Sequence, residues 1–363
     1  MWGFFLPFLL VSIQYFSTMK PGLLAFFAFL LVILPSFQGF FIRRGPVIYS
    51  ISGQAQGTTY SIKYLAASQL IQKKEIDDLL NQLDSSLSLY QSYSLINAFN
   101  ASKTGLKLDE HLLEVITAAQ KVNRETKGAF DITIKNLSTL WGFGNQQKLL
   151  IPSATSIREV QKTTGFHHLR LLDSTLLKNH PEVKIDCDGI AQGYSVDKLS
   201  SLLKIKGIKD YVVELGGEIR VFGASADGKP WTISVDMLDQ QQQRKEGKVQ
   251  LSNEAITSSG NFSKYSKLSG QFYSHIIDPF SGQPIDNGML AVTVIYKDAM
   301  TADALDNAFM VMGYKKALEF TQTREKMGVY MIYRNSNGTL SDTANAYFKE
   351  KFIPFPVASP RWQ

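Results

Sequence analysis

Three stretches, "MLAVTVIYKD" (289–298), "TADALDNAFMVMG" (301–313) and "GVYMIYRN" (328–335), follow one another late in the chain, and their succession decides the fold class. The outer two are apolar and rich in β-branched and aromatic residues, as strands are. The middle one reads as a buried helix. It also carries Asp303, Asp306 and Asn307 at i, i+3 and i+4, so three oxygen-bearing side chains project from one neighbourhood of that helix. Two readings account for them. Thr301 is a candidate N-cap, and acids in a first turn complement the helix dipole. Alternatively, carboxylate and amide oxygens together suit a hard cation.

Working outward, the C-terminal half is mainly strand. From about residue 181, "DYVVELGGEIRVFG", "KPWTISVDML" and "YSHIID" join the two strands above, and "QQQQ" at 240–243 reads as a solvated hairpin tip. The N-terminal half contributes a strand-like 47–64, broken at Gly53 and Gly57. It adds an amphipathic helix over 68–87, then a second that Asp109 caps and Gly128 ends. The reading is α+β, with the sheet weighted to the C-terminal half and helices packed on it.

The first fifty residues are a different material. Residues 1–19 are uncharged, and Pro21 to Ile42 is a run of 22 residues without charge, long enough to span a bilayer. Residues 1–45 read as an uncleaved signal anchor, 46–350 as the catalytic domain and 351–363 as a tail. Arg43-Arg44 after the span pulls that side towards the cytoplasm.

The 363 residues are 44% hydrophobic, 12% aromatic and 19% charged, which is globular composition. The net charge of +6 draws on Lys20, Arg43 and Arg44 in a segment without acids. The remainder is nearly balanced and lacks a basic run with interleaved aromatics, which excludes a nucleic-acid partner. A single Cys187 permits neither an internal disulfide nor a thiolate metal site.

Four further clusters use glycine and polar residues where a plain core needs none. In "KIDCDGIAQGYSVDKL" (184–199), Gly189 and Gly193 flank a turn into a helix, a possible anion site or a steric requirement. Gly216-Gly217 in "ELGGEIRVFG" is a candidate hairpin turn with Glu214 and Glu218 facing solvent. His275 stands in a strand ahead of Asp278-Pro279. In "GAFDITIKNLSTLWGFG" (128–144), Asp131 either satisfies turn backbone or serves a ligand.

Read in order, "GQAQGTTYSI", "SLYQSYSLINAFN", "GAFDITIKNLSTLWGFG", "KIDCDGIAQGYSVDKL", "VVELGGEIRVFG", "TSSGNFSKY", "HIIDPFSGQPI" and "TADALDNAFMVMG" resemble the successive blocks of the ApbE family, the FAD:protein FMN transferases, over about residues 47 to 345. The resemblance implies the ApbE-like α+β fold. It also implies an activity that cuts the pyrophosphate of FAD, moves FMN onto a Thr or Ser hydroxyl of another protein and releases AMP. The implied partners are FAD and an acceptor flavoprotein subunit of a membrane redox complex or reductase. The implied place is the inner membrane, with the catalytic domain periplasmic or otherwise outside the cytoplasm, against the pull of Arg43-Arg44.

The resemblance assigns Mg²⁺ to Asp303, Asp306 and Asn307 with the backbone carbonyl of Gly189. For FAD it implies Tyr90 as a stacking face, Ala129, Phe130 and Asp131 along the nucleotide, Asp186 and Gln192 on its polar groups, and Ile277 packing on it. Gln56 occupies the place of a family Met that touches FAD. His275 is the implied general base, its side-chain type having an ordinary pKa near neutrality. Three positions depart from the family: Asn307 stands for Thr, Gln192 for Lys or Glu, and Gln56 for Met. They leave two alternatives open, an FAD-binding protein with little transfer and an FAD pyrophosphatase.

Overall fold

The structure is a computed structural model and describes residues 45–143, 151–239, 241–260, 266–268 and 271–354. The anchor expected over 1–45 lies outside these apart from Gly45, as does the tail from 355 onward. Among the described residues no helix is long and apolar enough to cross a membrane.

Strands β1 (Val47–Ala55) and β2 (Thr58–Ala66) form a hairpin that turns at Gln56-Gly57. Gly53 does not break the strand. It faces Tyr60 across the ladder, and a Cβ there would lie 2.6 Å from the Tyr60 ring, so the close ring is what requires glycine. Helix α1 (Lys73–Leu87) starts five residues later than its apolar pattern, because Gln72 and Glu75 form a capping box there. Helix α2 spans Leu95–Ala101, and α3 (Glu110–Glu125) begins where Asp109 Oδ1 accepts from Leu112 N at 2.8 Å. Strands β3 (Gly105–Lys107), β4 (Leu169–Leu172) and β5 (Thr175–Lys178) make a small sheet against α2, and α4 (Lys135–Leu140) packs on α5 (Ala154–Gln161).

Helix α6 (Asp188–Ile205) leads into β6 (Tyr211–Leu215) and β7 (Glu218–Phe222), joined by the Gly216-Gly217 turn. A second hairpin, β8 (Trp231–Leu238) and β9 (Arg244–Leu251), precedes β10 (Ala255–Gly260) and the short β11 (Ser266–Leu268) and β12 (Gln271–Tyr273). Then come β13 (Met289–Tyr296), α7 (Ala299–Gln322, interrupted at Gly313), β14 (Gly328–Arg334), β15 (Leu340–Ala344), α8 (Ala346–Lys351) and β16 (Phe352–Ile353).

The main sheet is antiparallel, in the order β1-β2-β6-β7-β10-β13-β14-β15. Alternation gives it two buried faces. Val292, Val294, Val329 and Met331 join the core that holds α6 and α7, whereas Ile295, Tyr330 and Ile332 pack with Val235, Met237 and Val249 of the second hairpin. Each such fully buried aliphatic contributes about 1.5–3 kcal/mol, so α6 and α7 are held rigidly where the site needs them.

Candidate active site

Helix α7 starts two residues before Thr301. Its N-cap is Asp298, whose Oδ1 accepts from Thr301 N at 2.8 Å, so Asp303 and Asp306 are not needed for capping. Both are buried, at 4% and 1% exposure. Asn307 Nδ2 donates to Asp306 Oδ1 at 3.0 Å and reaches Asp303 Oδ1 at 3.5 Å. Asp303 Oδ2 accepts from Gly193 N at 2.9 Å. Burial pushes the Asp303 carboxyl up to about 7. Burial, and then the charge of Asp303, hold Asp306 well above the ordinary carboxylate range, against the Thr257 hydroxyl beside it.

Gly189 and Gly193 lie within α6, not on a turn leading into it. Each is glycine because α7 is close. A Cβ on Gly193 would lie 2.3 Å from Ala299 O, and one on Gly189 would lie 3.2 Å from Asn307 Cγ. The Gly193 N–H that meets Asp303 is the one a regular helix directs at the carbonyl of Gly189 four residues back. Gly189 is itself off helical dihedrals, at φ −86° and ψ 18°. Asp197, also on α6, accepts from Ala299 N and Met300 N in the first turn of α7 at 3.1 and 2.9 Å and pairs with Arg220 of β7. Helices α6 and α7 are thus pinned together at two levels.

All thirteen residues to which the resemblance assigns a role line one cavity of about 1880 Å³. Gln56, in the left-handed region at φ 52°, donates from Nε2 to Ser195 Oγ at 3.0 Å. Tyr90 is 64% exposed on the loop after α1, and the charge of Asp188, then burial, raise its hydroxyl pKa. Asp131 has both carboxyl oxygens engaged. Oδ1 takes Thr133 N and Oγ1 at 2.8 and 2.6 Å, and Oδ2 takes Phe166 N at 3.1 Å. Burial raises its pKa against those bonds. Its carboxylate therefore shapes the wall that Ala129 and Phe130 form. Asp186 Oδ1 accepts from Asp188 N at 3.0 Å, and its Oδ2 lies 3.4 Å from Lys135 Nζ. Gln192 packs against Gly216, and Ile277 sits in an apolar cluster with Leu137, Trp141 and Ile157.

His275 is not in a strand. Strand β12 ends at Tyr273, and the chain bends through Ser274 and His275 before Ile277 bridges to Pro284, which aims the segment at the cavity. Glu218, expected in solvent, is buried on the cavity wall, while Glu214 accepts from Gly217 N at 3.0 Å. The sequence reading also passed over Asp84, Lys135, Asp188 and Arg244, all on the wall. Of these only Lys135, four residues after Asp131 in an otherwise apolar stretch, carried a visible signal.

Among the described residues the wall holds nine carboxylates against two cationic side chains, Lys135 and Arg244, each already paired with an acid. No group of three or more His, Cys, Asp or Glu is placed to hold a metal among them. Helix α7 offers two carboxylates and the Asn307 amide, whose Nδ2 faces them here, and α6 offers the Gly189 carbonyl. That set suits an oxygen-seeking divalent ion, since two neighbouring buried carboxyls ionise together only beside added positive charge.

A family model described as the ApbE family matches residues 56–331. The chain belongs to the ApbE family. It is 35% identical over 306 residues to an FAD:protein FMN transferase of Vibrio cholerae, covering 82% of this chain and 91% of the relative. A protein of the same name from Escherichia coli is 33% identical over 318 residues, covering 85% and 89%. Among solved structures, the flavin transferase ApbE from Vibrio cholerae aligns with a TM-score of 0.77 at 33% identity, covering 84% of this chain and 99% of that one. The apo flavinyl transferase ApbE of Pseudomonas stutzeri also gives 0.77 at 33% identity, covering 85% and 98%. The ApbE-like fold of mixed helices and sheets is therefore the fold of this chain, and the chain is a transferase.

Proposed function

We propose that this ApbE-family chain transfers FMN from FAD to a Thr or Ser hydroxyl of an acceptor flavoprotein and releases AMP, in a Mg²⁺-dependent reaction. The observation that carries the reading is the buried Asp303–Asp306 pair on the wall of a cavity that Phe130, Ile277 and Tyr90 also line. Apolar and acidic groups on one wall suit a nucleotide with an apolar ring system whose pyrophosphate lies near a carboxylate-bound cation. Bound Mg²⁺ would supply the positive charge that polarises the pyrophosphate, held by Asp303, Asp306, Asn307 and the Gly189 carbonyl.

The remaining roles belong to side chains on the wall. Phe130, Ala129 and Ile277 exclude water from the flavin side. Lys135, close to Asp186, neutralises part of the acid around the phosphates. His275 takes the proton of the incoming hydroxyl. The hydroxyl oxygen then bonds to the FMN phosphorus as the bond to the AMP phosphate breaks. The acceptor is a flavoprotein subunit of a membrane redox complex or reductase, met outside the cytoplasm at the inner membrane.

The test incubates the full-length chain with FAD, Mg²⁺ and a flavin-acceptor domain, followed on a denaturing gel. A fluorescent acceptor band that EDTA abolishes, with AMP released in equal amount, is the expected result. AMP without a band at any acceptor concentration would replace transfer by hydrolysis, and tight FAD binding without AMP would replace it by a storage role.

A further inference from the structure

Small-molecule sites enclose about 300–1,000 Å³, and this cavity, at about 1880 Å³, is larger. Part of its wall is the β8–β9 hairpin, through Ser234, Val235, Asp236, Arg244 and Glu246. Strand β8 is the outer strand of its sheet, whose order is β16-β9-β8. In an antiparallel ladder, residues alternate between bonding the partner strand and turning their N–H and C=O away from it.

The phase of that alternation is set at the hairpin tip. Asp239 N donates to Gln243 O at 2.9 Å, so Asp239 faces β9. Leu238, Asp236 and Ser234 then face outward, opposite Arg244, Glu246 and Lys248 in register. Leu238 shows the pattern directly, since its N–H leaves the hairpin and donates to the Tyr330 hydroxyl at 2.8 Å. The outward backbone groups of Asp236 and Ser234 meet no backbone partner among the described residues. The strand, "WTISVDML", contains neither Pro nor Lys, two common guards against strand addition.

We propose that this edge receives the acceptor: an extended segment of the acceptor polypeptide adds as a strand beside Ser234–Asp236 and so carries its hydroxyl into the cavity. The proposal rests on the transferase reading, which requires a stretch of polypeptide to enter a partly dry cleft. Backbone N–H and C=O groups that lose water there must find partners, and the outward groups of Ser234 and Asp236 are partners on the cavity wall itself. Main-chain pairing of this kind holds segments of varied sequence, with side chains on alternate positions setting the preference.

The test uses the full-length chain, a flavin-acceptor domain, and a fluorescent peptide copying that domain's acceptor segment with its Thr replaced by Ala. Ser234→Pro removes one outward N–H while leaving the bonds to β9, a substitution that edge strands accept. It should raise the acceptor KM and the peptide Kd at least tenfold with FAD affinity unchanged, whereas Ser234→Ala changes them less than threefold. Where Ser234→Pro does not fold, peptides N-methylated at alternate residues probe the same bonds from the other side. Methylation in one alternation should abolish binding, and in the other it should be tolerated. Equal affinity for Ser234→Pro and the wild type, or for both methylation patterns, overturns the proposal. Peptide binding that is lost in Ser234→Pro, in a chain that transfers no FMN, would sustain the docking edge and sink the transferase reading instead.

Discussion

Replacing Asp303 by Asn should stabilise this protein when metal is withheld, an unusual outcome for a buried site residue. Burial moves the Asp303 carboxyl from its ordinary 3.8 up to about 7. A raised native-state value means that, between those limits, the folded chain holds a proton that the unfolded chain has released. Stability is therefore unaffected below about pH 4, falls as pH rises, and the loss is complete above about pH 7. A difference of about 3 pKa units amounts to about 4 kcal/mol at most. Asn removes that penalty and keeps an oxygen for the Gly193 N–H. At about 2 °C per kcal/mol for a domain of this size, the variant should melt up to about 8 °C above wild type at pH 8 in EDTA. The gap should close towards pH 4. Mg²⁺ at a hundred times its Kd should return about 2.7 kcal/mol to the wild type and little to the variant. Differential scanning fluorimetry across pH, with and without metal, reads all of this. A variant less stable than wild type at pH 8 in EDTA, or a gap that ignores pH, would refute the account of the Asp303–Asp306 pair.

Three other outcomes follow from the same geometry. His275→Ala should slow FMN transfer about 10²–10⁴-fold while FAD still binds, as measured by acceptor fluorescence and by equilibrium titration. Gly193→Ala puts a methyl 2.3 Å from Ala299 O and 2.8 Å from Asp303 Cβ, so α6 and α7 must part. It should cost about 1–3 kcal/mol in urea unfolding and blunt the melting response to Mg²⁺. Arg220→Met leaves the half-buried Asp197 carboxylate without its cation at the start of α7, still held by Ala299 N and Met300 N, and should cost about 1–3 kcal/mol, also visible in urea.

Periodicity and block order carried the first hairpin, β6, β7, β13 and β14 of the main sheet and the capped helix after Asp109, but not β10 or β15. They failed where a residue's reason lies across the fold. Glycine at 189 and 193 looked like a turn because a sequence shows breakers, not the helix that will press against them. Thr301 is the expected cap, but Asp298, one helical turn earlier and an equally good capping type, takes that place through its bond to Thr301 N. Glu218 looked solvent-facing because hairpin flanks usually are, and its burial depends on β10 pairing alongside β7. The edge of β8 is invisible in sequence, since strand order and hydrogen-bond phase are properties of the assembled sheet.

The bond from Gly193 N to Asp303 Oδ2 joins residues 110 apart in the chain, and the cavity wall runs from Gln56 to Val311. At a synthesis rate of about 5–20 residues per second, Tyr90 and Phe130 leave the ribosome roughly ten seconds or more before Asp303 does. Until then the cleft lacks its Asp303–Asp306 pair, although seven of the nine wall carboxylates have already been made. On the proposed reading, a product terminated before Asp303 should fail to retain the nucleotide, so that capture of FAD would timestamp the completion of the chain.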